Sequence, residues 1–306
     1  MSKLQGLFGD RNFILSLAIV LGLALGQGAL WTEGLVLPAL AFVMMLSMTG
    51  VEGRLFRSPR TLLTPLLAGL TLNYVVNGGV TLLLGALLIR EETFRTGFVL
   101  LAAVPPAVGV IPFTGFLEGD IEFSIVATLG CYLSAFIVTP LIIYSLLGFG
   151  GDLQVKLIAT MAQVIILPFV LSRVLVRTGA AERIARVRGP LLNWSFFLVV
   201  YTTVGLNRQV FATQPLSLIP AAALTVATTY LLGTAIERGG RLLKIDPKRV
   251  TSMILLGTSK NAGFAAGLAL TLFGRETAVP STVQTISMLT YVIYLDLRKR
   301  RWSTPL

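Results

Sequence analysis

The sequence predicts an all-α integral membrane protein of ten transmembrane helices in a single membrane domain. Three observations predict it. The 306 residues are 55% hydrophobic and only 13% charged, whereas a soluble domain carries about 25% charged residues. The apolar residues fall in runs of roughly 20, the length that crosses a bilayer as a helix, with short polar loops between them. The basic residues gather in alternate loops, as membrane topology requires. No stretch of soluble-domain composition is left over.

In chain order the predicted spans are 12–29, 31–50, 61–89, 94–117, 121–148, 153–173, 189–206, 215–236, 248–273 and 277–296. Span 1 follows Lys3, Asp10 and Arg11; lacking a clear small-x-small cleavage site, it reads as a membrane helix rather than a signal peptide. It carries Gly22 and Gly26, spaced for close helix packing. Span 2 runs into a loop holding Arg54, Arg57 and Arg60. Span 3 carries Asn73 and Asn77 on one helical face, as a polar contact between helices or as part of a site. Span 4 holds Pro105, Pro106, Gly109, Pro112 and Thr114, and Glu118, Asp120 and Glu122 join it to span 5. That acidic junction reads as a solvated loop or as a cytoplasmic gate. Span 5 carries Ser124 and Thr128 four residues apart, and the single cysteine, Cys131, which excludes an intrachain disulfide. Spans 6, 7 and 8 are apolar runs flanked by basic loops, span 9 contains Lys260, and span 10 ends in Arg298, Lys299, Arg300 and Arg301. Several spans are long enough to require tilt.

A formal net charge of +11 is compatible with nucleic-acid binding, but the placement of the charge argues against it. With the N-terminus inside, nineteen of the 25 Lys and Arg residues fall in inside segments and five in outside loops, Lys260 being the remaining one. That bias places both termini in the cytoplasm, in a multi-pass protein of the plasma (inner) membrane. The absence of histidine rules out a histidine proton relay or metal site, and no Asp or Glu falls near the middle of any span. Intramembrane carboxylates usually carry protons and sodium through transporters.

Ten spans divide as five plus five. An odd number per half makes the halves an inverted repeat, approximately 1–150 and 151–306. Corresponding spans share an oddity: Val104-Pro105-Pro106-Ala107-Val108-Gly109-Val110-Ile111-Pro112 in span 4, and Gly257-Thr258-Ser259-Lys260-Asn261-Ala262-Gly263 in span 9. Proline removes an amide donor and glycine tolerates unwound geometry, so both spans are expected to be discontinuous and to cross at their breaks. Interrupted spans at matching places are the best sequence pointer to a transporter site. Lys260 is the sharpest residue there. An ammonium at mid-membrane costs at least about 2.5–3.5 kcal/mol, and at least nine residues of span on either side leave it no near surface for snorkelling. Gly263 and Gly267, spaced like Gly22 and Gly26, read as a close-packing face.

On these stretches the chain resembles the bile acid:sodium symporter family, whose architecture is shared with sodium/proton antiporters. Residues 257–265 resemble the family's helix-9 motif, in which a glutamate precedes Gly-Met-Gln-Asn-Ser-Gly-Leu-Ala. Residues 105–120, ending Phe116-Leu117-Glu118-Gly119-Asp120, resemble its helix-4 segment. The resemblance implies panel and core subdomains, with helices 4 and 9 crossing in the core. The departures bear on function. Leu256 stands where the family has a sodium-binding glutamate, Lys260 where it has the glutamine of the second sodium site, and Ala262 where it has serine. The family's helix-4 Ser-Asn pair falls on Val110 and Ile111. Asn261, Ser124 and Thr128 do match, and Asn73 falls near the helix-3 glutamine. Sodium needs a hard oxygen cage, which Leu256, Val110 and Ile111 do not make.

The expected function is a secondary transporter of a small organic anion working by alternating access, and not an enzyme. The sodium sites are expected to be degenerate, with Lys260 replacing one cation. A residual sodium site at Ser124, Thr128 and Asn261 stays open, as do a still sodium-coupled symporter and a non-transporting receptor or scaffold on the same fold. The candidate binding set is Thr258, Ser259, Lys260, Asn261, Asn73, Asn77, Thr114, Ser124 and Thr128; the candidate helix breaks are Pro105, Pro106, Gly109, Pro112, Gly257 and Gly263. No cofactor and no nucleic-acid partner is expected, only the lipid bilayer and the anion, with a proton or no coupling ion favoured over sodium.

Overall fold

The computed structural model describes residues 10–49, 59–148, 152–213 and 215–303. Lys3, Arg54 and Arg57 of the basic alternation lie outside the described residues. The described chain is helical, and its single β feature is an isolated bridge. Among the described residues, six stretches are long and apolar enough to cross a membrane: Phe13–Met48, Leu62–Leu88, Ile121–Leu147, Gln154–Arg177, Arg188–Leu206 and Pro215–Leu242.

The first stretch is a hairpin, not one rod. Helix α1 (Arg11–Leu25) begins where the Asp10 carboxylate accepts the Phe13 amide at 2.8 Å, an N-cap. Two 3₁₀ turns, Gly26–Gly28 and Glu33–Leu35, separate it from α2 (Val36–Met48). Both helices pack along α8 (Arg188–Leu206) in opposite senses. Near the end of α8, Tyr201 bonds the Leu25 carbonyl at 3.0 Å and Thr202 meets Thr32 at 2.6 Å. At its start, Arg188 reaches Thr49 at 3.4 Å, and Gly189 lines the same cavity as Asp10. The two glycine pairs act in packing: a Cβ on Gly22 would meet Val204 at 2.9 Å, and one on Gly263 would meet Leu40 at 2.8 Å.

Rod α3 spans 59–88 and is π-helical over Thr71–Gly78. Then come α4 (Glu92–Ala103), α5 (Val110–Phe116), α6 (Ile121–Leu147) and α7 (152–177, π-helical over Ala162–Ile166). After α8 come α9 (218–242, π-helical over Ala227–Leu231), α10 (Pro247–Thr258), α11 (Ala262–Leu272) and α12 (Val279–Ser303). The largest apolar core includes Met44, Phe98, Leu101, Tyr132, Phe264 and Leu268. A second cluster gathers Phe113, Phe123, Leu255 and Tyr291.

Spans 4 and 9 are interrupted as the sequence predicts. Helix α4 stops at Ala103 because Pro105 and Pro106 supply no amide protons, and the residue before a proline is driven out of helical geometry. Val104 is accordingly extended, at φ −78 and ψ 153. Three of the six expected break positions are corrected. Pro112 lies inside α5, in its first turn, where the missing amide would have had no intrahelical partner. Gly257 is helical near the end of α10, and Gly263 lies in the first turn of α11. Both glycines permit close contact, Gly257 with Ile236 and Gly263 with Leu40. Pro105 and Pro106 lie in the first break, which ends at Gly109, the residue capping α5. The second break is Ser259, Lys260 and Asn261.

The two unwound segments meet. Pro106 and Lys260 form an antiparallel bridge in which Ala107 N donates to Ser259 O at 2.7 Å and Asn261 N donates to Pro105 O at 3.0 Å. Each break thus satisfies backbone groups that the other exposes, as irregular backbone at membrane depth requires.

Candidate substrate and ion site at the helix crossover

A helix that ends inside the protein presents carbonyls without partners and a partial negative charge. Two such ends, those of α4 and α10, lie at the crossover, and side chains close both. Lys260 Nζ donates to Ala102 O at 2.8 Å and to Val104 O at 3.1 Å. Thr139 donates to Ala103 O at 2.7 Å, and Asn73 Nδ2 to Val104 O at 3.2 Å. On the other half-helix, Asn77 Nδ2 donates to Gly257 O at 2.8 Å. Asn73 and Asn77 both sit in the π-helical turn of α3, so one distorted stretch serves both broken helices. Such π-turns recur at functional sites.

Lys260 is 2% exposed, which removes snorkelling as an account of it. Its ammonium also lies 5.2 Å from the centre of the Tyr74 ring, within cation–π range. No carboxylate pairs with it among the described residues. Hydrogen bonds to a charged group are worth about 1.5–3 kcal/mol each, so two of them offset the low-end insertion cost of about 2.5–3.5 kcal/mol.

Asn261 caps α11: its Oδ1 accepts the Phe264 amide at 3.0 Å. Its Nδ2 donates to the Tyr132 hydroxyl at 2.8 Å, which donates in turn to Pro106 O at 3.0 Å. Thr258 bonds back to Ile254 O in its own helix, while Ser259 Oγ is buried without a partner. Thr114 and Ser124 pair with each other at 2.8 Å. Thr128 Oγ1 is buried and unpartnered. Of the three candidate sodium ligands, then, Ser124 and Asn261 have hydrogen-bond partners within the protein, and Thr128 Oγ1 has none. Among the described residues no cluster of three His, Cys, Asp or Glu side chains could hold a metal ion.

Sequence reasoning missed Tyr132, Thr139 and Tyr74. Tyr132 was findable: it continues the face of Ser124 and Thr128 by one more step of four along α6. Thr139 lies seven residues further on the same helix, and its role depends on where α4 ends. Tyr74 neighbours Asn73 but acts through its ring, which no spacing announces.

A cavity of about 300 Å³ adjoins the crossover. One wall is Lys260, Asn261, Ala262 and Gly263 with Ala107–Gly109; the facing walls are mainly apolar, from Leu192, Phe196 and Val199 of α8 and Met288, Leu289 and Val292 of α12, with Asn193, Thr203 and Thr285 among them. It reaches the end of the bundle marked by Asp10, Gly189 and Asp296. At the other end the helices are tied together. Arg275 pairs with Glu33 at 2.7 Å, and Asn207 bonds Thr282 at 3.3 Å.

Broken helices that pair with each other beside a cavity point to a class, the membrane transporters with discontinuous helices. The sequence profile of the SBF-like CPA transporter family matches residues 58–295, and the chain belongs to that family. It is a divergent member of the bile acid:sodium symporter group, a group of transporters rather than enzymes. Over 239 residues it is 26% identical to a rice protein (Oryza sativa subsp. japonica) described as "Probable sodium/metabolite cotransporter BASS3, chloroplastic". The match covers 74% of this chain and 55% of the rice protein, so the chain spans about half the length of that curated relative.

Proposed function

We propose that this protein moves a small organic anion across the plasma (inner) membrane by alternating access, without a full pair of sodium ions. Its ten spans form two inverted repeats of five. Two pairings support that reading: α3 and α9, the third and eighth spans, are both π-helical at their middles, and the fourth and ninth are both broken. The core carrying the crossover moves against a panel containing α1, α2 and α8, and the cavity is the inward-facing half of the pathway. Lys260 places the one formal positive charge among the cavity residues of the crossover, beside the N-terminus of α11, while the facing walls accept an apolar body.

The observation that carries the reading is the contact of Lys260 Nζ with Ala102 O and Val104 O. A fixed ammonium there does the electrostatic work of one cation and repels another. Either a proton on Lys260 is exchanged in the cycle, or the charge is permanent and the protein is a facilitator or exchanger. The test is uptake into proteoliposomes in sodium, potassium and choline media, with and without a pH gradient, for wild type and Lys260→Gln. Uptake indifferent to sodium in wild type and altered in Lys260→Gln is expected. Steep sodium dependence unchanged by Lys260→Gln would defeat the proposal in favour of a symporter still using Thr128 and its neighbours. Specific binding without flux would favour a receptor.

A further inference from the structure

A second cavity, of about 580 Å³, lies away from the crossover, where α9 and α12 end and α10 begins. Five cationic side chains and two carboxylates line it: Arg238, Arg241, Lys248, Arg298 and Lys299 with Glu118 and Glu237. The carboxylates are already committed. Glu237 receives Arg298 through two contacts of 2.9 Å and Arg241 at 2.5 Å. Glu118 receives Lys299 at 2.8 Å. Arg238 and Lys248 have no carboxylate within ion-pair distance among the described residues. Five positive groups against two negative ones leave a concave site with a surplus of three charges.

Exposed lysines on a convex surface gain little from such a surplus, because water and salt screen them. A cavity differs: its low-dielectric walls concentrate the field on whatever enters. Leu117, Ile254 and Leu295 supply those walls here. The chemistry of the free cations narrows the ligand. Arginine's planar fork matches two oxygens of one phosphate, and lysine adds a point charge. We propose that this cavity binds a phosphate-bearing group, either the headgroup of an anionic phospholipid or a soluble phosphate. The group is held chiefly by Arg238 and Lys248, with Arg241 at the rim. The site is separate from the transport cavity; of the residues named here, Leu117 alone lines both.

The test uses the full chain purified in a zwitterionic detergent. Its thermal unfolding midpoint is followed against inorganic phosphate at constant ionic strength, and separately against phosphatidylglycerol with phosphatidylcholine as the reference lipid. Arg238→Gln/Lys248→Gln is compared with Arg177→Gln/Arg183→Gln, a double variant that removes the same charge from exposed positions outside the cavity. A stabilising response to at least one probe is expected, with its half-maximal concentration raised at least tenfold in the cavity variant and less than threefold in the other. Response to phosphate assigns the site to a soluble ligand, and response to the lipid alone assigns it to a headgroup. No response to either probe, or equal weakening in both variants, overturns the proposal. Should the cavity variant unfold, single Arg238→Lys and Lys248→Arg variants, which keep the charge and change the geometry, give the same comparison.

Discussion

At the scale of single residues, the crossover is held by side chains that bond backbone. Tyr132 is the clearest case, because one hydroxyl bridges Pro106 O and Asn261 Nδ2. Tyr132→Phe keeps the ring and leaves two buried polar groups unpaired, which costs about 1–3 kcal/mol per group. The thermal midpoint in detergent is expected to fall clearly, and an unchanged midpoint would show that the bridge carries nothing. At the surface, Lys299 acts on Glu118, a residue held at φ 53, a conformation that non-glycine residues rarely adopt. The hydrogen bond and charge of Lys299 hold the Glu118 carboxyl below the usual carboxylate range. A depressed carboxyl contributes stability that is full above its unfolded value, about 4.3 for glutamate, and is lost as pH falls through the lower folded value. A difference in midpoint between wild type and Lys299→Gln is therefore expected at pH 7 and should vanish on acidification. A difference that grew toward low pH would contradict the assignment. The chemical oddity of Lys260 was legible in the sequence; its partners were not. Lys260 bonds residues 156 and 158 positions away, and no local pattern encodes which carbonyls a distant helix end exposes.

At the scale of elements, the breaks in spans 4 and 9 were legible because proline and glycine have local mechanisms. Their limits were not. Pro112, Gly257 and Gly263 were expected in the breaks and sit in helix, because a proline in a first turn forfeits nothing and a glycine near a helix end can serve packing alone. The π-turns of α3 and α9 were not legible, because Thr71–Gly78 and Ala227–Leu231 read equally well as ordinary α-helix. That of α3 holds Asn73 and Asn77, which reach different half-helices, the first to Val104 O and the second to Gly257 O. This predicts a pattern of coupling. Asn73 and Lys260 share Val104 O as an acceptor, so removing one leaves the other to satisfy it. In a double-mutant cycle, Asn73→Ala with Lys260→Met is expected to depart from additivity by about 0.5–3 kcal/mol. Asn77→Ala with Lys260→Met, which share no acceptor, is expected to be closer to additive. Equal coupling in both cycles would mean that the crossover yields as one body and that the named bonds do not set its energetics.

At the scale of the whole molecule, one end of the bundle is basic and reached by the crossover cavity, and at the other Glu33–Arg275 and Thr282–Asn207 join the helices. The hairpin of α1 and α2 was legible from span lengths, since 36 helical residues would measure about 54 Å against a hydrocarbon core of about 30 Å. The cavity was not legible, because Leu192 and Phe196 of α8 look in sequence like any lipid-facing residues. The charge bias carries an expected orientation. Nineteen basic residues against five in the alternate loops predict that both termini, and the loops at 51–60, 174–188 and 237–247, face the cytoplasm. Cys131 is buried, so it offers little background to a thiol reagent. Arg183→Cys, at an exposed position on the basic end, should resist a membrane-impermeant maleimide in intact cells and react once the membrane is opened; Arg90→Cys, on the opposite end, should react in intact cells. Labelling of Arg183→Cys from outside would invert the topology. The transport cavity would then face outward, and Glu33–Arg275 would close the cytoplasmic side instead.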